Sequence, residues 1–481
     1  MKNYLFTILL IAINCPSTKG QKQAQEKPNI VVILCDDLGY GDLSAYGHPI
    51  IKTPHLDNMA QKGILMTNCY SSAPVCSPSR AGLLTGKSPN KVGIYDFIPG
   101  YKRSEDLRDL VHLQEFENTI PSVLKSAGYA TCLSGKWHCS SRFNSDAQPK
   151  PDYFGFDHWF ATHNNASPSH QNPSNFVRNG NKVGELEGFS CQIVVDEAIG
   201  WLNTKPSHQP FYLQITFHEP HEPIASPQQL IDKNLPLSEN EAQAKYFANV
   251  ENMDLAVGRL LNYLEENKLD NTLIFFTSDN GPETLMRYSR AKHSYGSPGE
   301  LKGMKLWTNE AGIRVPGILY WMGNETFHGT SDAVISALDL MPTLAEITGV
   351  QLENKHELDG ESFVKWIKTG QKKRTKPLVW AFYDALNQQR VAMRSEDWKV
   401  LATLTVDGKE LPKLHNLYDG NEALVKSAKL TNFELYDIKN DLGETNNLAS
   451  SKPKVLKKMK KVMEEEYQLL LEESFIWRRE N

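Results

Sequence analysis

Cysteine is scarce in this chain of 481 residues, with seven in all, at Cys15, Cys35, Cys69, Cys76, Cys132, Cys139 and Cys191. So scattered a set is no disulfide framework and offers no zinc-type pair, although it leaves room for one bridge. Positive charge is not in surplus either: 52 lysines and arginines face 57 aspartates and glutamates, a net charge of −5. That balance gives no sign of a nucleic-acid partner, while a local basic patch would still suit a polyanion. Near the start, the apolar stretch Tyr4 to Ile13 after Met1-Lys2-Asn3 is too short to span a bilayer. It reads as the core of a secretory leader cleaved after Gly20. Residues 1–20 are expected to be a signal peptide and 21–27 a polar tether, with export to the periplasm or the exterior and no transmembrane segment. Lipid attachment through Cys15 is the less favoured alternative, because Ala12-Ile13-Asn14 is a poor approach to such a site.

What is present is globular: 40% hydrophobic and 23% charged residues, with length for one large domain and a smaller one. Asn29-Ile30-Val31-Val32-Ile33-Leu34-Cys35 is a continuous β-branched run, the pattern of a strand covered on both faces of a parallel sheet. Strand-like runs recur at Ala130–Ser134, Phe211–Phe217, Thr272–Thr277 and Gly317–Trp321. Between them lie helical stretches: one started by Pro54, then Thr119–Tyr129, Asp196–Asn203 and Tyr246–Asn267, with Val334–Thr348 after the last strand. The alternation predicts a doubly wound α/β domain to about residue 350. The basic segment Gln371–Lys376 reads as a solvated hinge. Beyond it, short runs at Leu378–Tyr383, Arg390–Arg394, Lys399–Leu404 and Phe433–Tyr436 predict a small antiparallel sheet, closed by a helix over Val455–Glu472. The domain reading is therefore 28–375 for the α/β unit and 376–481 for a C-terminal subdomain.

The predicted strands end in polar chemistry, which is where open α/β sheets place their sites. Asp36 and Asp37 follow the first. Adjacent buried carboxylates repel, and an oxygen-seeking cation, Ca²⁺ or Mg²⁺, resolves the conflict. A solvated Asp-Asp turn is the alternative, and the strand-end position favours the cation. Asp279 and Asn280 end another strand with two more oxygen ligands. Lys136 and His138 flank Trp137 at a third, spaced to share one side of an extended chain. His218 and His221 end a fourth, but the prolines beside them argue against the helix that a metal-binding histidine pair uses.

The stretch that organises the rest is Ala73-Pro-Val-Cys-Ser-Pro-Ser-Arg-Ala-Gly-Leu-Leu-Thr-Gly86. Pro78 keeps Cys76 out of a regular element interior, Ser79 reads as a helix N-cap, and Gly86 as the stop. This would aim Cys76 at a helix N-terminus with Arg80 nearby. A low-pKa nucleophile and a buried inert thiol are the two readings of such a cysteine.

Cys76-Ser77-Pro78-Ser79-Arg80 with Leu84-Thr85-Gly86 resembles the signature of type I sulfatases, in which the cysteine becomes formylglycine. Other segments are similar to motifs of that family: Gly135-Lys136-Trp137-His138, Pro220-His221-Glu222-Pro223, Ser278-Asp279-Asn280-Gly281 and Lys305 to Pro316. Glu434-Leu435-Tyr436-Asp437 with Glu444 and Asn447-Leu448 resembles its C-terminal segment. Departures are Leu306-Trp307 after Lys305 and Cys139 after His138, and neither removes a charged group. The resemblance implies an alkaline-phosphatase-like core and a Ca²⁺ held by Asp36, Asp37, Asp279, Asn280 and residue 76. It implies that hydrated formylglycine attacks sulfur, with Asp279 taking the first proton and His138 the second. Arg80 and Lys136 would hold the anion, and His221 and Lys305 would serve the leaving oxygen. His163 and Asn165, in the loop after Phe156-Asp157-His158-Trp159-Phe160, resemble the substrate-facing loop of arylsulfatases and N-acetylgalactosamine-6-sulfatases. The expectation is hydrolysis of a sulfate monoester on a galactose or N-acetylgalactosamine type of sugar, exo-acting. A formylglycine-generating or sulfatase-maturing enzyme is the implied partner. The competing readings are a phosphate or phosphonate ester hydrolase of the same superfamily and an inactive secreted glycan-binding protein.

Overall fold

The computed structural model describes residues 27–479 apart from 101, 207, 289, 290, 325, 354 and 371–373. The expected leader and most of the tether therefore lie outside the described residues. Among the described residues, no helix is long and apolar enough to cross a membrane. The six cysteines there are all unpaired.

Ten strands form the main sheet. Its centre is parallel: Asn29–Asp36 lies between Thr272–Ser278 and Phe211–Pro220, followed outward by Ala130–Lys136 and His158–Thr162. Gly317–Trp321 runs antiparallel beside Thr272–Ser278. The period of two along the first strand explains the two covered faces. Ile30, Val32 and Leu34 enter one core with Ala81, Leu84, Leu124 and Leu344, from helices Cys76–Thr85, Ile120–Ser126 and Leu340–Thr348. Val31, Ile33 and Cys35 enter the other with Leu56, Val194 and Val257, from helices Pro54–Lys62, Ser190–Thr204 and Glu241–Glu266. The expected α/β architecture is present.

Several element boundaries differ from expectation; the helices expected from Asp196 and Tyr246, for example, begin at Ser190 and Glu241. The helix over 334–348 begins at Leu340, because Ile335–Ser336 is spent pairing with Cys69–Tyr70. The helix expected from Ser79 begins at Cys76, with Val75 as its N-cap and the Ser79 N–H already bonded to the Val75 carbonyl at 3.2 Å. Pro78 fits because the first turn of a helix needs no donor from it.

A second, antiparallel sheet is built from Leu378–Ala381, Val391–Ser395, Trp398–Val406, Lys409–Glu410 and Lys429–Asp437, the last lying beside Trp398–Val406. Helix Pro453–Glu473 packs on it through Met459, Met463, Tyr467 and Leu471. The sheet meets the main unit through apolar side chains, Tyr70 and Ile313 against Leu378, Trp380 and Leu401, and through a buried ion-pair network. Lys399, fully buried, sits 3.0 Å from Glu310 and 3.1 Å from Glu444, while Glu310 also takes hydrogen bonds from Tyr70 and Arg314 at 2.7 and 3.2 Å.

Candidate active site

The carboxyl ends of the parallel strands converge on the N-terminus of helix Cys76–Thr85. Asp36 is the last residue of the first strand, and Asp37 turns away from it in the left-handed region at φ 64°. Asp279 and Asn280 follow the neighbouring strand directly. Two glycines allow the close approach. A Cβ on Gly135 would lie 1.9 Å from the Thr216 carbonyl, and one on Gly281 would lie 1.6 Å from the Ala311 carbonyl. Without them, neither Lys136 nor Asn280 could sit where it does.

Each carboxylate has a buried cation beside it. Asp36 receives Lys136 Nζ at 2.6 Å, and Asp37 receives Lys305 Nζ at 2.8 Å. Asp279 Oδ2 accepts two bonds from Arg80, from Nε at 2.9 Å and Nη2 at 2.7 Å, the bidentate fork that a lysine cannot supply. Arg80 Nη1 is anchored on the Lys136 carbonyl at 3.1 Å. Burial alone would raise the Asp36 carboxyl, but Lys136, His221 and Arg80 outweigh it and hold the group well below the usual carboxylate range. Burial wins at Asp279, whose carboxyl is pushed up to about 7 despite Arg80.

Cys76 lies among them, 3.6 Å from Lys305 Nζ and buried. Burial pushes its thiol up to about 12, against the pull of Lys136 and Lys305. A low-pKa cysteine was one of the two sequence readings, and the environment contradicts it. As a thiol this residue is protonated at neutral pH and a poor nucleophile.

Two imidazoles flank the cluster. His221 hydrogen-bonds the Glu222 carbonyl through Nδ1 at 2.6 Å, leaving Nε2 3.6 Å from Asp37. His138 does not continue the strand as expected for a residue sharing one side with Lys136; it turns at φ 56°. Its Nε2 meets the Ile98 carbonyl at 2.9 Å, and its Nδ1 is buried with no hydrogen-bond partner among the described residues. A ring that donates from Nε2 carries its lone pair on Nδ1, so His138 is oriented as a base. Burial and the Lys136 charge keep it neutral, well below the usual imidazole range. The Ile98 carbonyl that fixes this tautomer escaped sequence reasoning, since a backbone group 40 residues away leaves no signal.

His218 is not part of the cluster; its Nε2 bonds Thr162 Oγ1 at 2.8 Å in the core. His163 packs edge-on against His138 at 5.6 Å between ring centres, and burial pushes it down to about 4. Asn165 holds a buried Oδ1 without a partner among the described residues.

The donor set suits a hard cation. Asp36 Oδ1 and Asn280 Oδ1 are both buried and lack hydrogen-bond partners among the described residues, although buried acceptors are normally satisfied. Ligand atoms of Asp36, Asp37, Cys76 and His221 lie within 4.8 Å of one another. Three carboxylates balance Arg80, Lys136 and Lys305, so a divalent cation would leave the pocket net positive, as an anionic ester requires.

A strand-end cluster of this charge, on this fold, defines a hydrolase for esters of an anionic group. Residues 28–350 match the family model for sulfatases. The chain is 31% identical over 368 residues to human N-acetylgalactosamine-6-sulfatase, covering 73% of this chain and 68% of that protein. It is 30% identical over 469 residues to human arylsulfatase A, covering 90% and 87%. The solved structure of Ps i-CgsB in complex with k-i-k-neocarrahexaose aligns with a TM-score of 0.76 at 25% identity, over 94% of this chain and 95% of that one. This chain belongs to the sulfatase family and has its alkaline-phosphatase-like fold; it is a sulfuric ester hydrolase.

Proposed function

We propose that the protein removes sulfate from the end of a sulfated glycan bearing galactose or N-acetylgalactosamine, using a Ca²⁺ ion and a formylglycine made from Cys76. The observation that carries the reading is the pairing of a high-pKa thiol with two orphaned buried oxygens, Asp36 Oδ1 and Asn280 Oδ1, amid Arg80, Lys136 and Lys305. The site is furnished for chemistry that its unmodified cysteine cannot perform. The likeness to human N-acetylgalactosamine-6-sulfatase supports the choice of sugar.

Asp36, Asp37, Asp279 and Asn280 would hold the Ca²⁺, which supplies a fixed charge for a sulfate oxygen. Formylglycine at position 76 would supply a hydrated aldehyde, with one hydroxyl to attack and a second through which sulfate can later be expelled. Arg80 and Lys136 neutralise the anionic end of the substrate. Asp279 would take the proton of the attacking hydroxyl. Lys305 Nζ, 3.6 Å from Cys76 Sγ, and His221 Nε2, 3.6 Å from Asp37, would steady or protonate a leaving alcohol. His138 Nδ1 is the oriented base for a second proton. His163 and Asn165 border the sugar. Residues 28–375 would form the catalytic unit, 376–481 the subdomain closing over it, and 1–20 an export leader, while a formylglycine-generating or sulfatase-maturing enzyme would act on Cys76.

The test is to incubate matured protein with sulfated galactose and N-acetylgalactosamine saccharides, aryl phosphate and aryl phosphonate. Release of sulfate far ahead of phosphate or phosphonate is expected. Faster cleavage of a phosphorus ester, or glycan binding without turnover, would overturn the reading.

A further inference from the structure

Two segments reach the start of the helix that carries Cys76. Ile98 bonds the Ser77 hydroxyl through its N–H at 2.9 Å and orients His138 through its carbonyl. Phe382 and Ala385, from the loop after the first strand of the C-terminal sheet, pack on Val75, Cys76 and Leu306, and Leu386 N–H bonds the Leu306 carbonyl at 2.9 Å. Asp96 lies two residues before Ile98, and Asp384 one residue before Ala385. The same contacts therefore bring these carboxylates together, and His415 joins them. Its Nδ1 is 3.0 Å from Asp96 Oδ2 and 3.3 Å from Asp384 Oδ2. Arg108 completes the group, 3.5 Å from Asp96 Oδ2 and with its guanidinium 5.4 Å above the Phe97 ring.

Three features set this cluster apart from an ordinary surface ion pair. Asp96 is buried, and its Oδ1 has no hydrogen-bond partner among the described residues. The His415 side chain is 40% exposed, and Nδ1 is engaged by both carboxylates, so Nε2 is the nitrogen left for a ligand. Hydrogen bonds that the Asp384 and Asp96 carboxylates accept raise this imidazole to about 9, so at neutral pH Nε2 is a charged donor. Phe97, next in the chain to Asp96 and 39% exposed, offers an apolar ring. A fixed donor next to an aromatic face is suited to a sugar ring, whose hydroxyl oxygens accept and whose C–H faces are apolar.

We propose that His415, held by Asp96 and Asp384, is a specificity-determining residue that donates Nε2–H to a hydroxyl of the sulfated sugar while Phe97 covers an apolar face of its ring. This rests on the sulfated-sugar reading above. A divalent cation on Asp96, Asp384 and His415, whose ligand atoms lie within 4.8 Å of one another, is the competing use of the cluster. The Arg108 guanidinium on the same Asp96 oxygen speaks against it.

The test compares matured wild type with His415→Ala and Phe97→Ala on two probes. These are 4-nitrophenyl sulfate and the fastest of a panel of 6-sulfated and 4-sulfated galactose and N-acetylgalactosamine saccharides. Thermal melting of each variant verifies that it folds. For either variant the saccharide kcat/KM is expected to fall about tenfold or more, mainly through KM, as for loss of a charged hydrogen bond or an aromatic contact. The aryl sulfate, which has no sugar ring to hold, should change far less. Equal losses on both probes, or no loss on either, would overturn the proposal. So would stoichiometric calcium or zinc binding that His415→Ala abolishes. Wild type that cleaves the aryl sulfate but no saccharide would instead bring down the sugar reading, and this proposal with it.

Discussion

Arg80 shows how much of this site depends on one residue type. Its two bonds to Asp279 and a third to the Lys136 carbonyl use the guanidinium as a rigid fork. Arg80→Lys keeps the charge and loses the fork, so kcat is expected to fall by about tenfold or more with a small change in folding. Arg80→Ala strips a buried carboxylate of its partner and should cost about 3–5 kcal/mol in urea unfolding. A lysine variant with unaltered kcat would show that charge alone suffices. Asp36 supports a second prediction at this scale. Calcium should raise the melting temperature of the wild type, and at 100 times its dissociation constant a ligand stabilises by about 2.7 kcal/mol. Asp36→Asn should abolish that shift, and an undiminished shift would place the ion elsewhere.

The strand ends were readable in the sequence because burial on both faces forces continuous apolar runs, so polar residues immediately after them stand out. That pattern marked Asp36, Asp37, Asp279 and Asn280. The Cys76 helix starts three residues before Ser79, the N-cap that the sequence offers, since the first turn of a helix accepts proline. Spacing alone puts His138 on an extended chain, whereas its positive φ swings it back toward the Ile98 carbonyl. The contact between the sheets left no local trace at all. Lys399, Glu310 and Glu444 are far apart in sequence, and nothing near each announces that it is buried. Burial opposes ionisation of Glu310, yet Lys399, Arg314 and Arg394 hold its carboxyl down to about 2. Lys399→Met should therefore destabilise the protein by about 3–5 kcal/mol, because two carboxylates lose their shared cation. A change within about 0.5 kcal/mol, the range of ordinary surface substitutions, would mean that the network is dispensable.

At the scale of the molecule, a parallel sheet supplies the anion pocket and the C-terminal sheet folds Phe382 and Ala385 against Cys76. This division explains why the charged centre was legible in short motifs while the Asp96–His415–Asp384 cluster was not. The centre is built at strand ends and at one helix start, each within a short motif, whereas the cluster joins residues up to 319 positions apart. We propose that residue 76 acts as an aldehyde, since a buried thiol pushed up to about 12 is a poor nucleophile in a pocket otherwise equipped for an anion. The most direct test is the mass of the proteolytic peptide carrying residue 76, measured on several preparations whose sulfatase activity is assayed in parallel. The aldehyde mass should appear, and activity should rise in proportion to its fraction. Full activity in protein whose peptide carries only the unmodified thiol would contradict the account.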